Sequence, residues 1–276
     1  MLRAYRRFVV VAYQFLPLLI AYARDRKRFF VFGRGRQPSS ETRRERARSL
    51  LDSLLTLGPT FIKLGQLLST RPDVLPPEYI EEFERLQDDV PPAEWPAAKA
   101  VIESDIGPIE ETFDEFDADP ISGASLGQVY VAEVDGEQVA VKVRRPNIES
   151  LVEADLKVVG WSLPILMRFV GEARSFSLET IADEFEKTIR EEMDYGRERE
   201  MLVEIGENFA ANDRIRVPNA RAELSSDRVL TMEYVEGTKI SEVGDLDELG
   251  LDRTDLARTL QETYLQMIVQ DGVFHA

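Results

Sequence analysis

The stretch Val139–Val143 reads VAVKV. Successive side chains of a strand point to opposite faces, so Val139, Val141 and Val143 share one side and Ala140 and Lys142 the other. A small residue and one ammonium group then look into the same space, which suits a polyanion such as a phosphate. Taken alone, Lys142 reads as a solvated lysine on an edge strand. The preceding SGASLGQV, Ser122 to Val129, argues for more. Phosphate-covering loops follow G-x-G-x-x-G-x-V, with small residues where backbone N–H groups approach phosphate oxygens. Ser122, Ala124, Gly127 and Val129 fill those slots, with Gly123 and Ser125 between them. Two glycines are replaced, but by small residues.

An ammonium that serves a phosphate is held, in kinase arrangements, by a glutamate from a helix. Residues 178–207 read as one long helix. Ile181, Phe185, Ile189 and Met193 recur every four residues and mark its buried stripe. Glu192 lies at the margin of that stripe. Asp194 and Glu198 form an i,i+4 like-charge pair, which repels by ~0.2–0.5 kcal/mol unless a cation answers it. For most of these carboxylates a solvated acidic helix is the plain alternative. Further on, RVLTMEYVEG (Arg228–Gly237) reads as a strand running into a loop. Its backbone groups could bond an adenine edge across a hinge between two lobes; taken alone it is simply a strand leaving a sheet.

The elements that must position these residues are legible as patterns. Helices are expected over 41–57, begun by Ser39-Ser40-Glu41, then 59–70, 77–87 and 93–104, punctuated by prolines. Runs 129–134 and 138–143 flank Asp135-Gly136, a strong hairpin signal. Long helical patterns over 148–170 and 178–207 follow, then short strands near 214–217 and 228–233, then a helix over 254–270. Helices, a small β-rich unit and helices again imply an α+β fold.

Composition closes other routes. The 276 residues contain no cysteine and one histidine, which excludes disulfides, thiolate metal sites and histidine clusters. The net charge is −17. The first fifty residues carry 13 basic and 3 acidic side chains, so the remainder carries −27. An acidic body repels nucleic acid, and charge of this size suits a protein of a salt-rich cytoplasm. At the amino terminus the apolar stretch Phe8–Ala23 is flanked by Arg3, Arg6, Arg7, Arg24, Arg26, Lys27 and Arg28. It is short for a spanning helix and suits a membrane interface; a buried helix is the alternative.

In this order the motifs resemble the UbiB-type atypical protein-kinase-like family, also called ABC1 or ADCK. FIKLGQLLSTRPDVLPPEYIEEFERLQDDVPP (Phe61–Pro92) is similar to the family's amino-terminal extension, with its Lys-x-Gly-Gln signature at Lys63, Gly65 and Gln66. ISGASLGQVY resembles the alanine-rich loop that replaces the glycine-rich one, VAVKV carries the nucleotide lysine, and EEMDYGRE carries Glu192, Asp194 and Glu198. Two departures stand out: Ser122-Gly123 where alanines are common, and Arg199-Glu200-Met201 where the family often has Ala-x-Asn.

The resemblance implies a kinase-like fold laid out as follows: an apolar, basic-flanked helix (1–32), a linker (33–42), a helical extension (43–110), an N-lobe with inserted helices (111–235), and a hinge with an incomplete C-lobe (236–276). It implies an ATP-dependent kinase or ATPase supporting isoprenoid-quinone biosynthesis, peripheral on the inner face of the cell membrane, with ATP and Mg²⁺ as cofactors. Membrane or isoprenoid lipid and quinone-biosynthesis enzymes would be the partners. Lys142 would hold α/β-phosphates and pair with Glu198; Ser122, Gly123, Ala124, Ser125, Gly127 and Val129 would cover the nucleotide, with Ala140, Glu233 and Val235 at the adenine. Lys63 and Gln66 would fold over the site, Lys63 meeting Glu192 or Asp194, where a protein substrate would otherwise lie. His275, in QDGVFHA, would open a catalytic loop whose aspartate and metal ligands fall beyond Ala276, leaving this chain inactive alone. The alternatives are a non-catalytic nucleotide-dependent regulator and a membrane-binding module.

Overall fold

The computed structural model describes residues 2–25, 38–87, 93–123, 126–167, 172–238, 240, 244 and 248–274. Ala124, Ser125 and His275 lie outside them. The helices are α1 (Leu2–Asp25), α2 (Ser40–Leu57), α3 (Pro59–Ser69), α4 (Pro77–Phe83), α5 (Trp95–Ile106), α6 (Ile109–Thr112), α7 (Ile148–Met167), α8 (Glu172–Glu192), α9 (Tyr195–Phe209) and α10 (Arg253–Leu265). The strands are β1 (Glu115–Phe116), β2 (Ser122–Gly123), β3 (Gly127–Val134), β4 (Glu137–Arg144) and β5 (Val229–Glu233). The mixture is the α+β, kinase-like class that the patterns imply. The chain divides into two compact units, one of Met1–Pro92, Gly123–Gly127 and Arg145–Met193, the other of Ala93–Ser122, Gln128–Arg144 and Asp194–Ala276.

The first unit is helical. Ser39 caps α2, its hydroxyl accepting the Thr42 N–H at 3.3 Å. Gly58, at φ 90°, turns the chain from α2 straight into α3, a conformation that costs glycine little. Leu51, Leu54, Leu57, Phe61, Ile62, Phe83 and Leu86 form one core; Leu126, Ile148, Val152, Phe185, Ile189 and Met193 form a second. The stripe Ile181, Phe185 and Ile189 of α8, with Met193 just past its end, is buried. The α2 and α4 helices are bound by a ladder of ion pairs: Arg43–Glu78 at 2.8 Å, Arg44–Glu81 at 2.7 Å and Arg48–Glu82 at 3.0 Å.

Helix α1 packs through Ala4 and Val11 and is latched by Arg7. That guanidinium meets the fully buried Asp155 carboxylate of α7 with both oxygens, at 2.5 and 3.1 Å. It also donates to the Leu57 carbonyl at the end of α2 and lies 5.5 Å from the Phe61 ring centroid. The opposite face, Leu2, Tyr5, Val9, Tyr13, Leu16 and Ile20, is exposed.

The second unit is built on a sheet in the order β1-β3-β4-β5. Asp135 and Gly136 take φ 54° and 75° between β3 and β4, the left-handed pair that a two-residue hairpin demands. Val139, Val141 and Val143 are buried with Val229, Tyr130 and Ala132 against Ala98, Val101 and Ile102 of α5. Burying each such valine contributes about 1.5 kcal/mol or more, and that fixes which face of β4 turns inward. Pairing with β5 sets Ala140 opposite Met232 and Lys142 opposite Leu230.

Three expectations are corrected. The helix read over 178–207 breaks at Met193–Asp194. Asp194 caps α9, its carboxylate accepting the Arg197 N–H at 3.0 Å, because an aspartate at non-helical dihedrals satisfies a free helix N–H that a continuous helix would not leave open. Asp194 and Glu198 are therefore not stacked on one helical face. The strand near 214–217 does not form, since Pro218 lacks a donor and restricts the residue before it; past the proline the chain makes an isolated bridge, Ala220 to Met232. The helix over 254–270 is α-helical to Leu265 and widens into a π-turn over Gln266–Asp271, ended by Gly272 at φ 69°. Leu265, Ile268, Val269 and Phe274 remain exposed there.

Candidate functional site

In the second unit, the inward pull of the odd-numbered valines sends Lys142 to the other face of β4. Its ammonium donates to both Glu198 oxygens, at 2.6 and 2.7 Å. Glu198 stands in the first turn of α9, placed there by the Asp194 cap. The Tyr195 ring, 1% exposed, lies with its centroid 4.8 Å from the same ammonium. Both charged side chains keep about a fifth of their surface open (23% and 21%), so the pair is accessible to a ligand. Ala140 is buried on the same strand face.

The chain is crowded where α9 begins. The Tyr195 N–H donates to the Asp227 carbonyl at 3.2 Å. A Cβ on Gly196 would sit 3.0 Å from Asp227 Oδ1 and 3.2 Å from Asp194 Oδ1, so glycine follows the tyrosine for want of room. At the end of β5 the Glu233 N–H is taken by the Asn219 carbonyl at 2.9 Å, and its carboxylate by Arg216. The Arg216 hydrogen bond, against a smaller opposing effect of burial, holds the Glu233 carboxyl below its ordinary value. The Glu233 N–H and carboxylate are thus both engaged within the chain. Val235 follows in open chain and is exposed.

In the first unit the Lys-x-Gly-Gln signature lies on α3, and each of its residues has a visible partner. Lys63 forms an ion pair with Glu192 at the end of α8. Gln66 Nε2 donates to the Leu86 carbonyl at 2.9 Å. Gly65 lets the turn after α4 approach: an added Cβ would collide with Leu86 and lie 2.8 Å from Leu54 Cδ1. Of the two acids offered to Lys63, the structure pairs it with Glu192 and gives Asp194 the capping role. Gln66 acts as an anchor between elements.

Of the loop residues, Ser122 is exposed, Gly123 and Val129 are half-buried and Gly127 is buried at the start of β3. Ala124 and Ser125 lie outside the described residues. Sequence reasoning missed Tyr195, Arg216 and Asp227. Tyr195 directly follows the Glu-x-Asp triplet, but nothing in periodicity marks it once 178–207 is read as one helix. Among the described residues no three carboxylate or imidazole side chains converge as a metal would require.

A strand lysine gripped by a helix glutamate, on a small antiparallel sheet fed by a small-residue loop, is the organisation of a kinase-like nucleotide fold. The chain belongs to the ABC1 atypical kinase-like family, whose domain pattern matches residues 85–276. It is 40% identical over 233 residues to "Protein ACTIVITY OF BC1 COMPLEX KINASE 8, chloroplastic" of Arabidopsis thaliana, covering 83% of this chain and 31% of that one. To "Probable protein kinase UbiB" of Aeromonas salmonicida it is 37% identical over 223 residues, covering 80% and 41%. The chain thus spans less than half the length of these relatives. Among solved structures it is similar to the Rv3197–erythromycin complex from Mycobacterium tuberculosis, at 27% identity and TM-score 0.49, over 74% of this chain and 52% of that one.

Proposed function

We propose that this chain is the nucleotide-binding part of an atypical kinase or ATPase of the UbiB type, serving isoprenoid-quinone biosynthesis at a membrane surface. The observation that carries the reading is the accessible Lys142–Glu198 pair on the non-core face of β4. Lys142 donates to phosphate oxygens while Glu198 keeps its ammonium in place, and the two can share one charge because both remain partly open. Ala140 leaves room for a planar base, with the Glu233 carbonyl and the Val235 N–H as its edge partners. This donor set fits a nucleotide.

Mg²⁺, which the family resemblance implies, would draw on ligands other than an acidic cluster of this kind: among the described residues no three acidic or imidazole side chains converge. The quinone role rests on the resemblance to the UbiB-type family and on no described residue, and binding alone would be the role of the nucleotide-dependent regulator. Titration of ATP into the chain by calorimetry tests the reading. Binding that is lost in Lys142→Ala supports it; equal binding by both proteins ends it.

A specific observation supports the membrane element. The outward face of α1 carries exposed Leu2, Tyr5, Val9, Tyr13, Leu16 and Ile20, while Arg7 is fastened to buried Asp155. A helix tied sideways to a folded body and apolar on its free side suits the plane of an interface, and the basic amino-terminal fifty residues match an anionic lipid surface. Flotation with anionic vesicles that is unchanged when the exposed Val9, Tyr13 and Leu16 are replaced by serine would end this part of the reading.

A further inference from the structure

Tyr195 is without a role in the nucleotide reading, yet it occupies a costly place. It is one of the largest fully buried side chains, it opens α9, and its N–H is fixed on the Asp227 carbonyl. Tyr195 and Glu198 are three residues apart on the same helical turn, so they share a face. On that face they hold one ammonium, Glu198 by two hydrogen bonds and Tyr195 by its ring at 4.8 Å. The two partners differ in kind. A carboxylate is a directional counter-ion that competes with any incoming phosphate. An aromatic face attracts a cation without offering a lone pair, and its attraction grows as water is excluded.

We propose that Tyr195 is a positioning residue for Lys142: its ring fixes the ammonium on the exposed side of the sheet and keeps it there when the Glu198 carboxylate shares the charge with a phosphate ligand. The helix break at Met193–Asp194 makes this possible. In an uninterrupted helix the residue after Asp194 would belong to an interior turn and would not be set by the cap. The affinity arm of the test rests on the nucleotide reading; the spectroscopic arm does not.

The chain has seven lysines, so labelling lysine with ¹³C at Cε gives a resolvable set of signals, with Lys142 assigned through Lys142→Arg. Its methylene protons should be displaced upfield by the ring in the wild-type chain and in Tyr195→Phe, which keeps the aromatic face. In Tyr195→Leu, which keeps bulk and loses the face, they should return among the other lysines. ATP affinity should fall about threefold to tenfold in Tyr195→Leu and stay within about twofold of wild type in Tyr195→Phe. Phe209→Leu, in the core at the far end of α9, controls for lost stability and should leave both readouts in place. A Lys142 signal indifferent to Tyr195→Leu overturns the proposal, as does an affinity loss matched by Phe209→Leu. Should the wild-type chain bind no ATP, the nucleotide reading fails by itself and the Lys142 signal alone decides the role of Tyr195.

Discussion

Two lysine–glutamate pairs, one in each unit, look alike on paper and are held in different ways. Lys142–Glu198 joins a strand to a helix. Its geometry is set by sheet register, because Val139, Val141 and Val143 must face the core, and a slip of one residue would turn the lysine inward. Lys63–Glu192 joins two helices, α3 and α8. No register fixes it; it depends on how closely α3 is seated on its neighbours, and that seat is cut by Gly65 and pinned by Gln66. One pair is as secure as a sheet, the other only as secure as a helix contact.

The largest effect should come from the first pair. Lys142→Ala leaves Glu198 half-buried without its cation and removes the phosphate donor. Losing one member of such a charged pair costs about 2–5 kcal/mol, so ATP affinity measured by calorimetry should fall about 30-fold or more. An intact affinity would show that the sheet-held pair is only structural. Next comes the seat of the second pair. Gly65→Val forces Cβ atoms against Leu86 and Leu54, an overpacking worth about 1–3 kcal/mol. A lowered unfolding midpoint in urea should accompany it, and a midpoint equal to wild type would show that α3 can shift freely. Smaller still is Lys63→Ala. The Lys63–Glu192 pair is partly open, so the urea midpoint should reflect a change of less than about 1 kcal/mol. A larger loss would show that the helix contact depends on this pair.

The smallest effect is a pH dependence on the helical side. The Arg43 hydrogen bond, the backbone and Ser40 lower the Glu78 carboxyl from 4.5 to about 2. A depressed carboxyl stabilises the fold above its unfolded value, and that contribution is lost as pH falls through the folded one. Stability of the α2–α4 ladder should therefore hold above pH 4.5 and decline toward pH 2, in step with the Glu78 carbon resonance. Replacing Glu78 with Gln should flatten that part of the profile.

Much of this was legible because it rests on short periods. Alternation in VAVKV placed Lys142, Asp-Gly announced the hairpin, and the four-residue stripe found the buried face of α8. The identity of the glutamate for each lysine was less legible. Glu192, Asp194 and Glu198 lie within seven residues, and which lysine each meets depends on a helix break that periodicity carries straight through. Asp194 is the residue that decides it, acting as a cap where the pattern suggested a repelled charge. Tyr195 was hidden for the same reason. Strand 214–217 failed because its two apolar positions, Ile215 and Val217, run straight into Pro218, which withholds a donor.

The Arg7 latch has a practical consequence for anyone preparing this protein. An apolar amino-terminal helix invites removal to gain solubility. Cutting before Ser40 would strip the partner from Asp155, whose side chain is fully enclosed, and an unpaired buried charge costs about 3–5 kcal/mol. The shortened protein should therefore aggregate or melt early for an electrostatic reason rather than a hydrophobic one. Pairing the deletion with Asp155→Asn should recover much of the loss, which makes a single amide the difference between a usable fragment and an insoluble one.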